Sequence, residues 1–94
     1  MKQGANMTAR LRAKLEAVFS PLSLVIEDES AKHAGHAGAR EGGETHYRIR
    51  IVSQSFAGLS RVERQRKVYA AVAEELAERV HALSLVTLTP EEAS

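Results

Sequence analysis

The side chains able to do chemistry in this sequence form an imidazole set and a cationic set, and the chain has no cysteine. The imidazoles are His33, His36, His46 and His81. Neutral imidazole nitrogen is a competent ligand for iron, and two such rings on one iron occur in Rieske-type 2Fe-2S centres. His33 and His36 have the H-x-x-H spacing of a metal pair, set in a stretch rich in Gly and Ala. His81 stands where a helical pattern gives way to a strand pattern, so a backbone held on both sides would orient its ring at small entropic cost. Without a thiolate the chain cannot by itself complete a cluster, a Cys-based zinc site or a disulfide. Further ligands have to come from another molecule. The ordinary role of a His at a strand start is a packed or solvated ring, and His46, on an outward strand position, reads as solvated.

The cations Arg61, Arg64, Arg66 and Lys67 crowd the first turns of a helix, with Gln65 among them and Glu63 the only acid. They follow the turn FAGLS. Guanidinium groups and helix N-terminal N–H groups converge on such a surface, which is the chemistry of phosphate contact. Arg48 and Arg50 are expected to add to the same side. A solvated helix face, paired with Glu63 and its neighbours or docked on an acidic partner, accounts for the same residues. No Ser-His-Asp, paired-carboxylate or phosphate-loop arrangement is legible, so an enzyme is not expected.

Composition sets the frame for both groups. With 94 residues, 44% hydrophobic and 27% charged, the chain is expected to fold as one small domain with one modest core. Thirteen Lys and Arg against twelve Asp and Glu give a net charge of +1, so only local clustering can attract nucleic acid. The N-terminal residues carry no apolar run of signal-peptide type, and no stretch approaches the roughly 20 apolar residues of a membrane span. A cytoplasmic protein without membrane contact is expected.

The elements that must position these residues follow from periodicity. Leu11, Leu15, Val18 and Phe19 recur at helical spacing after Thr8, read as the N-cap, and Pro21 ends the run, giving a helix over 8–19. Leu22, Leu24 and Ile26 alternate with Ser23, Val25 and Glu27 as a strand. From Ser30 to Gly43 no apolar period of either kind is present, and a long mobile loop is expected. Tyr47, Ile49 and Ile51 alternate with His46, Arg48 and Arg50, a second strand paired with the first as a hairpin. Ser60 and Glu63 form a capping box that opens a second helix of some five turns, with Val62, Tyr69, Val72, Ala73, Leu76 and Val80 as its apolar stripe and Glu74, Glu75, Glu78 and Arg79 elsewhere. Leu83, Leu85 and Thr87 alternate with Ala82, Ser84, Val86 and Leu88 as a third strand ending before Pro90. The order αββαβ predicts an α+β sandwich, a three-stranded sheet with helices on one face.

Four segments in this order, DES (28–30), GETHYRIRIVSQSFAG (43–58), SRVERQRKVYAAVAEEL (60–76) and VHALSLVTLTPEE (80–92), together resemble BolA proteins from Met7 onward. The expected organisation is a single BolA-like domain over 7–94 behind a flexible extension, residues 1–6. The resemblance implies a fold like a class II KH domain, a complex with a monothiol glutaredoxin, and a role in iron-sulfur and iron homeostasis and the stress response. It implies that His81, in the word VHAL, ligates a shared 2Fe-2S cluster together with a loop residue, His33 or else His36, the remaining ligands coming from glutaredoxin and glutathione. No cofactor is expected on the chain alone. The alternative it implies is a DNA-binding transcriptional regulator that meets duplex DNA through Arg61, Arg64, Gln65, Arg66 and Lys67. Two departures bear on it: Gln65 lies where the family commonly has His, and the turn lacks the G-x-x-G of KH domains.

Overall fold

The computed structural model describes residues 6–29 and 46–94. Its elements are α1 (Met7–Phe19), β1 (Ser23–Asp28), β2 (His46–Val52), a 3-10 turn (Gln54–Phe56), α2 (Arg61–Ala71), α3 (Ala73–Glu78), β3 (Ala82–Leu88) and α4 (Pro90–Ala93). The strands form one mixed sheet in the order β1-β2-β3. The expected hairpin is antiparallel, with Leu24 opposite Ile51 and Ile26 opposite Ile49. β3 lies parallel to β2, with Ile49 opposite Leu85 and Ile51 opposite Thr87. The α+β class therefore stands, as does the inward alternation of β2, of β3 and of Leu24 and Ile26 in β1, whereas Leu22, expected on the same inward face, precedes β1 and is exposed.

One face of the sheet is covered by helices. Tyr47, Ile49 and Ile51 from β2 meet Leu11, Leu15 and Phe19 from α1, and Val68, Val72 and Val80 from the returning segment, in one buried cluster. The rings of Phe19 and Phe56 stand 5.0 Å apart at 42°, and the Phe19 carbonyl accepts from Ser53 Oγ at 2.6 Å. These contacts fix α1 to the turn that follows β2.

Several local expectations are corrected. Asn6, assigned to the extension, caps α1 by accepting from the Ala9 N–H at 2.8 Å; residues 1–5 lie outside the described residues. Thr8 instead puts its hydroxyl 3.1 Å from the Tyr47 phenol, which gives that buried ring's polar end a partner. Val18 is 55% exposed, so the inward face of α1 is Met7, Leu11, Leu15 and Phe19. The predicted second helix is two helices, interrupted at Val72, whose φ and ψ are −115° and 28°; no Gly or Pro marks the break. Its phase also differs. At about 100° per residue, Val62, Tyr69 and Ala73 fall roughly 100–140° round the axis from Val68, and Val62 and Tyr69 are exposed. The buried line is Val68, Val72 and Glu75, with Leu76 and Ala71 partly buried beside it.

Glu75, expected on the solvent side, is fully buried. Its Oε2 accepts from Arg10 at 3.2 Å and lies 2.9 Å from Lys14, tying α3 to α1. Arg10 also grips Glu78 bidentately at 2.7 and 2.9 Å, and Lys14 also pairs with Glu74. Lys14 and Arg10 in turn hold the Glu74 and Glu78 carboxyls below the usual carboxylate range, first through their hydrogen bonds to them. Glu75 Oε1 has no hydrogen-bond partner among the described residues.

Leu15→Ala is expected to cost about 2–5 kcal/mol, measured by urea denaturation, whereas Val18→Ala should stay within about 0.5 kcal/mol. Because Arg10 and Lys14 keep Glu78 and Glu74 as partners, Glu75→Met should leave the midpoint unchanged or raise it, since an apolar side chain of similar length removes an oxygen that is buried unbonded.

Candidate functional site

His81 lies at the start of β3, and Arg61, Arg64 and Gln65 of the cationic set lie beside its other end. At the start of β3, α3 closes with the N–H groups of Arg79 and Val80 both donating to the Glu75 carbonyl at 3.0 Å. Val80 is buried. His81 is thus the exposed residue between a buried anchor and the first ladder residue, Ala82. The register brings the ends of the 30–45 segment to the same place: His46 lies opposite Ala82, and Asp28 opposite Tyr47, itself opposite Leu83. Neighbouring strands stand about 4.8 Å apart, so His46 lies one strand and one residue from His81. A depression of about 170 Å³ at this end is lined by Glu29, His46, Tyr47, Ala82, Leu83 and Ser84. His33, His36 and the expected mobile loop lie outside the described residues.

Among the described residues no group of three or more His, Cys, Asp or Glu is placed to hold a metal, and the chain has no cysteine. An exposed imidazole on a fixed backbone is the donor type that a cluster with thiolates supplied from elsewhere would accept.

The cationic set divides. Ser60 caps α2 in the expected box, accepting from the Glu63 N–H at 3.1 Å while Glu63 Oε1 accepts from the Ser60 N–H at 2.8 Å. Arg61, Arg66 and Lys67 are exposed and Gln65 is half-buried. Arg64 is different. Its Nε donates to the Leu59 carbonyl at 3.0 Å, its Nη1 to the Thr87 carbonyl at 3.0 Å, and its two terminal nitrogens to Glu92 at 2.7 and 3.2 Å. The guanidinium lies 5.9 Å from the centre of the Phe56 ring, and the side chain is only 11% exposed. It staples the FAGLS turn to β3 and α4. Arg48 and Arg50 do not join this surface, because they alternate with the inward Tyr47, Ile49 and Ile51 and so lie on the sheet face opposite the helices. Arg48 sits 3.7 Å from Glu29.

The family described as BolA-like protein matches residues 15–92. The chain belongs to the BolA-like family. It is 48% identical over 89 residues to Protein BOLA1, chloroplastic, of Arabidopsis thaliana, spanning 93% of this chain and 56% of that protein. It is 41% identical over 83 residues to the DNA-binding transcriptional regulator BolA of Escherichia coli (strain K12), spanning 88% of this chain and 75% of that one. The solved structure of BolA1 from Arabidopsis thaliana matches it with a TM-score of 0.85 at 46% identity over 96% of this chain and 98% of that chain. The chain spans little more than half the length of the BOLA1 and human BolA-like protein 1 relatives it matches. None of these BolA relatives bears an enzyme's name. No helix among the described residues is long and apolar enough to cross a membrane; the Arabidopsis relative is named for the chloroplast, and the cytoplasmic expectation is not carried by it.

Sequence reading missed the α4 contribution. Thr89 accepts from the Glu92 N–H at 3.2 Å and Glu92 Oε1 from the Thr89 N–H at 2.9 Å, with Pro90 in the first turn. The words T-P-E-E carried that capping box, and with it the position of the carboxylate that Arg64 uses. The hydrogen bond from Arg64 first, then that from the Thr89 N–H, pulls the Glu92 carboxyl down to about 2. A carboxylate lowered in the folded state stabilises it above the unfolded value of about 4.3 and loses that contribution as pH falls toward the folded one. Glu92 is 46% exposed, so solvent weakens the effect. Glu92→Gln should therefore be less stable than the parent at neutral pH, and the difference in denaturation midpoint should close between about pH 5 and pH 2.

Proposed function

We propose that this BolA-like protein forms a complex with a monothiol glutaredoxin and shares a 2Fe-2S cluster with it, acting in iron-sulfur and iron homeostasis and the stress response. The observation that carries this reading is the strand register, which sets His81 beside Asp28 and His46, the strand residues that flank the stretch of sequence bearing His33 and His36. His81 would supply one imidazole and His33, or else His36, the second, with thiolates of glutaredoxin and glutathione completing the set. When bound, such a cluster supplies a redox-active iron-sulfur unit. The chain's own contribution is to hold the His81 backbone between buried Val80 and the β3 ladder, so that its exposed ring meets the partner without reordering of the fold.

The second reading is a nucleic-acid contact. It rests on the Escherichia coli relative, named a DNA-binding transcriptional regulator, and on exposed Arg61, Arg66 and Lys67 at the capped start of α2. Arg64 is withdrawn from the contacting set by its four hydrogen bonds.

The first reading is tested by mixing the protein with a monothiol glutaredoxin, iron, sulfide and glutathione and recording the visible spectrum. His81→Ala should give the spectrum of glutaredoxin without this partner, and only one of His33→Ala and His36→Ala should do the same; circular dichroism of each variant should match the parent. A mixed-ligand spectrum unchanged by His81→Ala would sink the assignment. For the second, the logarithm of duplex DNA affinity should fall linearly with that of salt, and Arg66→Ala with Lys67→Ala should flatten the slope by about 2. Salt-insensitive or absent binding would remove DNA as a partner.

A further inference from the structure

β3 is an outer strand, and two hydrogen bonds show which of its backbone groups face outward. The Leu88 carbonyl accepts from the Ser53 N–H, on the β2 side, at 2.9 Å. The Thr87 carbonyl accepts instead from the Arg64 side chain. Alternate residues of a strand direct their backbone groups to opposite neighbours. Ala82, Ser84, Val86 and Leu88 therefore bond toward β2, while Leu83, Leu85 and Thr87 turn N–H and C=O groups outward. Arg64 occupies the last of these carbonyls; among the described residues the N–H groups of Leu85 and Thr87 and the carbonyls of Leu83 and Leu85 have no partner along the edge.

Beside this edge runs a groove of about 230 Å³ lined by Arg61, Gln65, Leu85, Val86, Thr87 and Leu88. Arg61 and Gln65 are one turn apart on α2 and border the same groove. Arg61 has no ion-pair partner among the described residues, and the positive end of the eleven-residue α2 adds to its field. On the other sheet face Val86 is 42% exposed.

We propose that this edge takes an extended acidic segment of a partner protein as a fourth strand. The edge offers donors and acceptors in turn, and a polypeptide strand answers both at the same spacing, whereas a phosphodiester strand presents only acceptors along its backbone. Charge decides the side chains. Residues of the added strand on the helix side meet Arg61 and Gln65 and are Asp or Glu; those on the other side lie beside Val86 and are apolar. The segment thus alternates acidic and β-branched residues. This surface lies at the opposite end of β3 from His81 and does not depend on the cluster reading.

The probe is the capped peptide Val-Glu-Val-Glu-Val-Glu, titrated into the isotope-labelled protein by amide-resolved NMR. The outward N–H groups of Leu85 and Thr87 should shift more than those of Ser84 and Val86. Arg61→Glu, at an exposed position, should weaken binding about five-fold or more, the size of one reversed surface charge contact. The same peptide with Lys for Glu, or with a central Pro, should not bind. Equal binding of the Lys or Pro peptide would overturn the proposal, as would no shift at millimolar peptide, or oligothymidylate moving the same amides where the acidic peptide does not.

Discussion

Parallel pairing of β3 against β2 is the constraint on which the rest of this structure depends. A parallel neighbour cannot be reached through a tight hairpin; the chain must leave the end of β2, travel back along the sheet and enter again from the starting end. The segment from Ser53 to His81 makes that return as a 3-10 turn and two helices. Laying it over one sheet face puts Val68 and Val72 against Ile49 and Ile51. The same return places the start of β3 beside the start of β2 and the end of β3 beside the end of β2. His81, Glu29 and His46 therefore share one end of the sheet, and Arg64, α4 and the cationic helix start share the other.

The two ends are held by charged groups used in different ways. Arg64 is nearly buried but answered on every side, since its planar fork of five N–H donors meets the carbonyls of Leu59 and Thr87 and both oxygens of Glu92. A lysine's single ammonium has no such set of directions, so the geometry selects arginine. Glu75 is fully buried yet, among the described residues, answered at one oxygen only, which makes it a device for positioning α3 against α1 more than a source of stability. Its carbonyl, taken by both Arg79 and Val80 N–H groups, ends α3 at the point from which His81 projects. The side chain that docks the helix and the backbone that closes it thus belong to one residue.

What was legible in the sequence was whatever has a short period. Alternation in the three strands gave the inward faces correctly down to Leu24, Ile49 and Leu85, and the capping box at Ser60 marked the start of α2. Where apolar residues stand on two sides of a helix, period alone does not choose between them: Val62 and Tyr69 suggested one phase, and Val68 with Val72, completed by a carboxylate, is the buried one. No local pattern shows that a Glu is inside when the cations that neutralise it, Arg10 and Lys14, are on another helix. Arg64 was misread for the same reason, because its acceptors at Thr87 and Glu92 lie far along the chain. His81 was placed well because its surroundings, a helix end and a strand start, are both local. The positions of its expected partners His33 and His36 fall outside the described residues.

In the proposed complex the donor chemistry divides along the lines of the composition. A chain without cysteine has no thiolate to lose to oxidation and cannot form a disulfide, so in that complex any oxidation of ligand thiolates would fall on the partner. Neutral ligands also leave more net positive charge on the iron they hold than thiolates do, which raises its reduction potential. In the proposed complex the protein would thereby change the cluster's electronics without bringing thiol redox chemistry of its own. Such a role would ask of the described fold one fixed ring at a strand start, and the parallel return that sets His81 one residue from the position opposite His46 supplies that backbone in fewer than a hundred residues.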